Sequence, residues 1–178
     1  MILPQAERQR LFFALWPDPE LAYTFHRLAR AQLAACQGRV LVPEQIHLTL
    51  RYVGPVGPDM AGCLDNAASR LVMPSFSLIF DRLGYWPRPK VVWCMPSDIP
   101  SALLDLAARL DAACVACGLP ADTRAYVPHL TLLRKARQAP PVPEMPATTW
   151  TVRDFALIHS ETRSEGVVYT VLKRWALQ

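Results

Sequence analysis

Short apolar runs, each ended by proline or glycine, divide the N-terminal part of the chain into predicted elements. The run at 11–16 stops at a proline and predicts a buried strand. The next residues, Asp18-Pro19-Glu20, predict a helix start, because aspartate caps a first turn and proline fits the first helical position. Apolar residues then recur at helical spacing to about Cys36. The segment 46–53 alternates in polarity and predicts a second strand, ended by a glycine-proline pair.

The remainder of the chain continues to alternate helical and extended patterns. The predicted elements are a helix over 59–72, strands over 76–80 and 91–95, a helix from Ser101 stopped by Gly118, and a strand over 129–133. Four prolines at 140, 141, 143 and 146 predict an extended linking loop. The chain closes with a predicted hairpin, in which 155–159 pairs with 167–172 through a turn at 164–166.

One order of elements occurs twice along the chain. A strand, a proline-marked turn, a helix, a loop and a His-Leu-Thr-Leu strand follow one another over about 11–50 and again over about 91–132. Two copies of one unit ending in the same tetrapeptide indicate an internal duplication. Duplicated units tend to pack about a pseudo-two-fold axis. We therefore expect one domain over 1–178, made of two lobes whose motif histidines face each other.

The two His-Leu-Thr-Leu motifs, which begin at His47 and His129, carry the candidate chemistry. Because successive strand residues point to opposite faces, histidine and threonine share one face while the leucines enter the core. Phosphodiester cleavage needs a base, an acid and donors for the non-bridging oxygens. Histidine suits both proton-transfer roles because its pKa lies near neutrality. We predict that His47 and His129 are catalytic and that Thr49 and Thr131 bind phosphate. The motifs alone leave open which histidine is the acid.

Further candidates lie close to the second motif. Arg134 follows it and Arg124 precedes it, and both are predicted to bind phosphate through charge-assisted hydrogen bonds. Tyr126 and Phe13 are the predicted base-stacking residues, since single-stranded RNA is commonly held by stacking on aromatic rings.

The residues around the motifs do not predict a metal site or a cofactor. Catalytic metal sites commonly include a carboxylate or a third histidine, and neither motif contains an acidic residue. The other histidines, His26 and His159, have no ligand-like spacing and are predicted to be structural. The chain also has no lysine-containing nucleotidyl-transfer motif and no glycine-rich phosphate loop, which disfavours energy-driven ligation.

Composition and charge narrow the class of protein. A content of 52% apolar and 19% charged residues indicates a packed domain rather than a disordered chain. The net charge of +4 suits a small anionic ligand and is low for a duplex-binding protein. No run approaches the roughly 18 apolar residues of a membrane span, and the N-terminus lacks a signal-peptide core.

The five cysteines are odd in number and lie in apolar surroundings. They predict reduced, mostly buried thiols in a cytoplasmic protein. Cys114 and Cys117 match a C-x-x-C pattern, but no second pair or suitably spaced histidine accompanies them. We therefore predict that they fill a helix face and bind no metal.

Taken together, the motifs and their flanks resemble the two-histidine phosphoesterase superfamily. The resemblance is greatest to the bacterial RNA 2′,3′-cyclic phosphodiesterases, historically called 2′-5′ RNA ligases. It rests on the segments 9–14, 47–54, 91–93, 128–134 and 169–177. It implies an α+β fold of two lobes, with two antiparallel sheets flanked by helices and a central cleft that carries both motifs.

The resemblance also implies an activity. It implies metal-independent hydrolysis of a 2′,3′-cyclic phosphate end of RNA, or of a nucleotide, to a 2′-phosphate. By the same resemblance, His47 is the proton donor to the departing 3′ oxygen and His129 is the proton acceptor. We expect a monomer with no obligate protein partner and no membrane association. Two alternatives remain open: the reverse reaction, which joins RNA ends through a 2′-5′ linkage, and a non-catalytic module that binds RNA ends.

Overall fold

The computed structural model of the protein describes residues 8–178. Its elements in chain order are β1 (Gln9–Leu15), α1 (Pro19–Gln32), β2 (Arg39–Val40), β3 (Leu48–Val56), α2 (Pro58–Ala68), β4 (Phe76–Trp86), β5 (Val91–Pro96), α3 (Ser101–Ala116), β6 (Leu130–Arg134), β7 (Glu144–Val152), β8 (Asp154–Arg163) and β9 (Gly166–Ala176). Single 3-10 turns occupy 34–36 and 43–45. The predicted α+β class is confirmed. No helix in this described part is long and apolar enough to cross a membrane.

The strands form one antiparallel sheet in the order β7-β4-β5-β6-β3-β1-β8-β9, and the short β2 pairs with β6. The motif strands β3 and β6 meet at the centre through a single residue pair, Leu48 with Leu130. The sheet therefore has two halves of four long strands, β3-β1-β8-β9 and β6-β5-β4-β7. The resemblance implied two separate sheets, whereas this one pair joins the halves into a continuous sheet.

Helices α1 and α3 cover the core side of the sheet through apolar faces. Asp18 caps α1 as predicted, since its Oδ1 accepts a hydrogen bond from the backbone N–H of Leu21 at 2.8 Å. Phe25 in α1 and Leu110 in α3 are fully buried in the main core, which extends beneath both halves. A smaller cluster around Phe12 lies outside this main core. The sheet is thus packed by helices on one face, and its other face is free to carry a site.

Several strands differ from their predicted lengths. Strand β3 passes through the predicted stop and ends at Val56, because Gly54 adopts a φ of +91° that keeps the strand paired with β1. Strand β7 begins at Glu144, within the predicted proline-rich loop, and continues to Val152. It tolerates Pro146 because it is an edge strand with one neighbour, β4. The hairpin of β8 and β9 is confirmed.

The prediction that all five cysteines are reduced is wrong for two of them. Cys63 in α2 and Cys117, just after α3, form a disulfide. Their separation of 54 residues gives no local signal, and only the packing of α2 beside α3 brings them together. Cys36, Cys94 and Cys114 are free and buried, as predicted.

Candidate active site

The two motif histidines lie where the halves of the sheet meet. His47 immediately precedes β3 and His129 immediately precedes β6. The residues that follow them, Leu48 and Leu130, form the pair that joins the strands, and both are fully buried. Because side chains alternate along a strand, the histidines and threonines lie on the face opposite to these leucines. The antiparallel register then sets the threonine of each motif across from the histidine of the other motif.

Both imidazole rings are held by the same local hydrogen bond. The Nδ1 atom of His47 lies 2.8 Å from the carbonyl oxygen of Gln45, and that of His129 lies 2.8 Å from the carbonyl oxygen of Val127. A carbonyl oxygen can only accept, so each Nδ1 carries the proton. In the neutral rings Nε2 is therefore the free acceptor. Each histidine can take a proton at Nε2 and, once protonated, can return it from the same atom.

Burial and nearby cations lower the pKa values of both histidines. Desolvation lowers the pKa of His47 to about 4, the carbonyl of Gln45 opposes this fall, and the charges of Arg134 and His129 add to it. Desolvation also lowers the pKa of His129, against the carbonyl of Val127, and Arg134 again contributes. The ring of His47, with its pKa at about 4, is therefore neutral at pH 7 before an anion binds. The charge of Arg134 acts on both histidines.

The rings that surround the two histidines differ in number. His47 lies against Phe12, Trp16 and Tyr169, with ring-centroid distances of 5.0, 5.1 and 5.1 Å. The Trp16 ring is stacked on the imidazole at an interplanar angle of 10°. His129 has an edge contact with Trp86 at 4.5 Å. Sequence reasoning missed the contacts of Trp16 and Tyr169 with His47, because only the pairing of β1 with β3 and β8, and of β8 with β9, brings these residues to the motif.

Trp86 is supported from behind by a second indole. The rings of Trp86 and Trp93 lie 5.4 Å apart, and Trp93 passes directly over Gly84. A Cβ atom at Gly84 would lie 2.0 Å from the Trp93 ring, so this position requires glycine. The glycine in β4 thereby sets the position of the ring that contacts His129.

A cavity of about 660 Å³ opens beside His129 and Thr49. Its lining includes the aromatic residues Tyr52, Trp86 and Tyr126, together with residues of α3 and of the loop at 119–128. The hydroxyl of Tyr126 donates to the carbonyl oxygen of Thr49 at 3.1 Å. The ring of Tyr126, a predicted base-stacking residue, is half-buried and lines this cavity.

The prediction that Phe13 stacks on a nucleobase is wrong. Its side chain is fully buried, and its ring packs against Phe155 and Trp175 in the main core. The cause is strand alternation, since Phe12, one residue earlier in β1, points to the opposite face and contacts His47.

Arg124 lies on the lining of the same cavity, and its side chain is 80% exposed. Its Nε and Nη2 atoms donate to the two carboxylate oxygens of Asp122, each at 3.1 Å. Sequence reasoning missed the groups that hold this loop. The side chain of Arg51 is 10% exposed and donates to Asp111 and to the carbonyl of Pro120, each at 2.6 Å. Asp111 in turn accepts from the backbone N–H of Asp122 at 3.1 Å.

Within residues 8–178, no three histidine, cysteine, aspartate or glutamate side chains converge as metal ligands. His26 lies outside the site, and its Nδ1 atom is 2.7 Å from the carbonyl oxygen of Leu41. His159 lies within β8, paired with β1 and β9.

Comparison with known proteins places the fold and the motifs in one family. A model described as the 2′-5′ RNA ligase superfamily matches residues 17–163. The chain belongs to this superfamily. It is 34% identical over 174 residues to an RNA 2′,3′-cyclic phosphodiesterase of Escherichia coli (strain K12), covering 97% of this chain and 98% of that protein. It is 31% identical over 190 residues to an RNA 2′,3′-cyclic phosphodiesterase of Thermus thermophilus, covering 95% of this chain and 90% of that one.

Solved structures agree with the sequence comparison. The chain superposes on E. coli LigT complexed with 3′-AMP with a TM-score of 0.89, at 33% identity, covering 97% of this chain and 99% of that one. E. coli LigT complexed with phosphate gives a TM-score of 0.86 at 32% identity over the same fractions.

Proposed function

We propose that this protein hydrolyses 2′,3′-cyclic phosphate ends of RNA, or of nucleotides, to 2′-phosphates. The observation that carries the proposal is the matched pair of histidines, each with Nδ1 fixed to a carbonyl and Nε2 free, set where the two motif strands meet. The relatives named RNA 2′,3′-cyclic phosphodiesterase and the structural likeness to LigT complexed with 3′-AMP support it.

In the proposed mechanism, water attacks the phosphorus in line with the 3′ oxygen. His129 Nε2 accepts the proton of the attacking water, a new P–O bond forms and the P–O3′ bond breaks. His47 Nε2 donates a proton to the departing 3′ oxygen, which leaves as a hydroxyl beside the 2′-phosphate. His47 ends neutral and His129 protonated, and exchange with solvent restores both. The order of donor and acceptor follows the family resemblance.

The lowered pKa of His47 determines when the acid is charged. A ring whose pKa is about 4 is neutral in the free protein at pH 7. An anionic phosphate bound between the histidines favours the imidazolium through its charge. Proton uptake is therefore linked to substrate binding in this proposal. Thr49, Thr131 and Arg134 hold the non-bridging oxygens, and neither a metal nor a cofactor is required.

The test is turnover of adenosine 2′,3′-cyclic phosphate, with the 2′- and 3′-monophosphate products resolved by chromatography. The wild type should release adenosine 2′-phosphate, and His47→Ala or His129→Ala should lower kcat by about 10²- to 10⁴-fold, the usual contribution of a positioned acid or base. His159→Ala is the matched control and should retain wild-type turnover. Full activity in either motif variant would exclude this mechanism, and loss of activity with EDTA would indicate a metal.

The same assay addresses the two alternatives. An added RNA with a 5′-hydroxyl reveals any 2′-5′ joined product, and phosphate-dependent binding without turnover would identify a non-catalytic module.

The organisation of the protein is part of the proposal. We propose that the two halves arose by duplication of units near 11–50 and 91–132, and that the protein acts as a cytoplasmic monomer. Support for the duplication comes from one feature shared by the two units: the strand that opens each unit pairs with the motif strand that closes it, β1 with β3 and β5 with β6. With two cysteines in a disulfide, the proposed location rests on the RNA substrate class and no longer on reduced thiols.

A further inference from the structure

We infer that the cavity beside His129 includes a 5′-phosphate subsite, in which Arg124 binds the phosphate that links the terminal nucleotide to the rest of an RNA chain. The inference rests on the proposed function and extends it. It predicts that this protein prefers RNA ends to free nucleoside 2′,3′-cyclic phosphates.

The size and lining of the cavity indicate more than a phosphate pocket. A volume of about 660 Å³ lies in the range of sites that enclose whole organic ligands. Thr49 and His129 lie on its lining, so a nucleoside held there remains attached to the reacting phosphate. The rings of Trp86 and Tyr126 supply the apolar and stacking surface that single-stranded bases use.

Arg124 presents an unused edge of its guanidinium group. This group has five N–H donors, and Asp122 takes one from Nε and one from Nη2. The remaining N–H groups of Nη1 and Nη2 are available, and the side chain is 80% exposed. This end matches the paired oxygens of a phosphodiester in a bidentate contact. Asp122 therefore aims the arginine and leaves its binding edge free.

The loop that carries Arg124 is held in place before any ligand binds. Arg51 ties the backbone of Pro120 to Asp111 in α3, and Asp111 accepts from the backbone N–H of Asp122. The hydroxyl of Tyr126 ties the other end of the loop to β3. A subsite ordered in advance loses less conformational entropy on binding, so contacts made there contribute more to affinity.

The two arginines near the second motif have separate tasks. The charge of Arg134 lowers the pKa of both histidines, which sets it close to the reacting phosphate. Arg124 lines the same cavity as His129 and is held there by two side-chain hydrogen bonds to Asp122. A second cation on the lining of this cavity is suited to a second phosphate of the substrate.

The experiment compares two small substrates that differ by one phosphate. Adenosine 2′,3′-cyclic phosphate and its 5′-phosphorylated form are assayed with wild type, Arg124→Ala, Arg124→Lys and Arg163→Ala. We expect wild-type kcat/KM to be about ten-fold or more higher for the 5′-phosphorylated substrate, as one charge-assisted contact provides. Arg124→Ala should bring this ratio close to one, and Arg124→Lys should retain part of it.

Arg163→Ala is the matched control. Arg163 also pairs with a carboxylate two residues earlier, Glu161, at 2.8 Å, and it does not line the cavity. This variant should keep the wild-type ratio.

Each outcome separates the subsite from the activity. Failure of the wild type to hydrolyse either substrate refutes the proposed function. Hydrolysis of both at equal efficiency by the wild type overturns the subsite and leaves the proposed function intact. An Arg124→Ala variant that loses both activities equally, with an unchanged ratio, also overturns the subsite, because Arg124 would then act on the reacting phosphate. If Arg124→Ala does not fold, the subsite is tested by the ratio of kcat/KM for the two substrates in the wild type and in Arg124→Lys.

Discussion

The two motif regions share their local geometry and differ in what surrounds it. In both, the histidine precedes a strand, Nδ1 is bound to the carbonyl two residues earlier, and the next leucine joins the halves of the sheet. Three aromatic rings enclose His47, whereas His129 touches Trp86 and borders the large cavity. The repeated backbone sets what each histidine can do. The neighbours brought by other strands distinguish a side enclosed by aromatic rings from a side that opens onto the cavity.

The largest effect predicted from this comparison is a loss of turnover, and it tests whether the two motifs are equivalent. Thr49→Val and Thr131→Val keep the side-chain shape and remove the hydroxyl. Each should lower kcat by about 10²-fold, the order found when a transition-state donor is removed. The measurement is steady-state turnover of adenosine 2′,3′-cyclic phosphate by folded variants. A large loss in one variant and none in the other would show that a single motif holds the phosphate.

A second prediction separates the surroundings of the two histidines. Desolvation is the main cause of the low pKa of His47, so Trp16→Leu should admit water and raise this pKa from about 4 towards 6.5. Trp86→Leu should raise the pKa of His129 and leave the pKa of His47 unchanged. NMR titration of the imidazole Cε1 protons gives both values in each variant, so each variant is the control for the other. An unchanged His47 pKa in Trp16→Leu would show that other groups desolvate this ring.

The smallest predicted effect is on stability against pH. The pKa of His47 is about 4 in the folded protein against 6.5 for an unperturbed histidine. Between these values the unfolded chain binds a proton that the folded state does not, so the free energy of unfolding falls as pH drops from about 6.5 to 4. Below pH 4 the folded and unfolded states both bind this proton, so the contribution of His47 to the free energy of unfolding stays constant.

Urea unfolding at pH 7 and pH 4.5 measures this difference. The loss on acidification should be smaller in His47→Gln than in the wild type. An equal loss in the wild type and His47→Gln would contradict the low pKa.

Local signals in the sequence predicted the parts that depend on near neighbours. Alternation placed histidine and threonine of each motif on one face, and the cap at Asp18 began α1 where expected. The same alternation rule could have separated Phe12 from Phe13, but only if the face of β1 towards the motifs were known. Strand β7 was missed because prolines normally end strands, and its edge position emerges only from the assembled sheet.

The sequence by itself determined the class of fold, the two motifs and the identity of the groups that can move a proton or hold a phosphate. These follow from side-chain chemistry and from the period of a strand, both of which act over a few residues. Tertiary structure alone decided which rings enclose His47, how Arg51 and Asp111 hold the loop at 119–128, and that Cys63 meets Cys117. Each of these contacts joins residues far apart in the chain. Their proximity depends on how strands and helices pack, which no local pattern records.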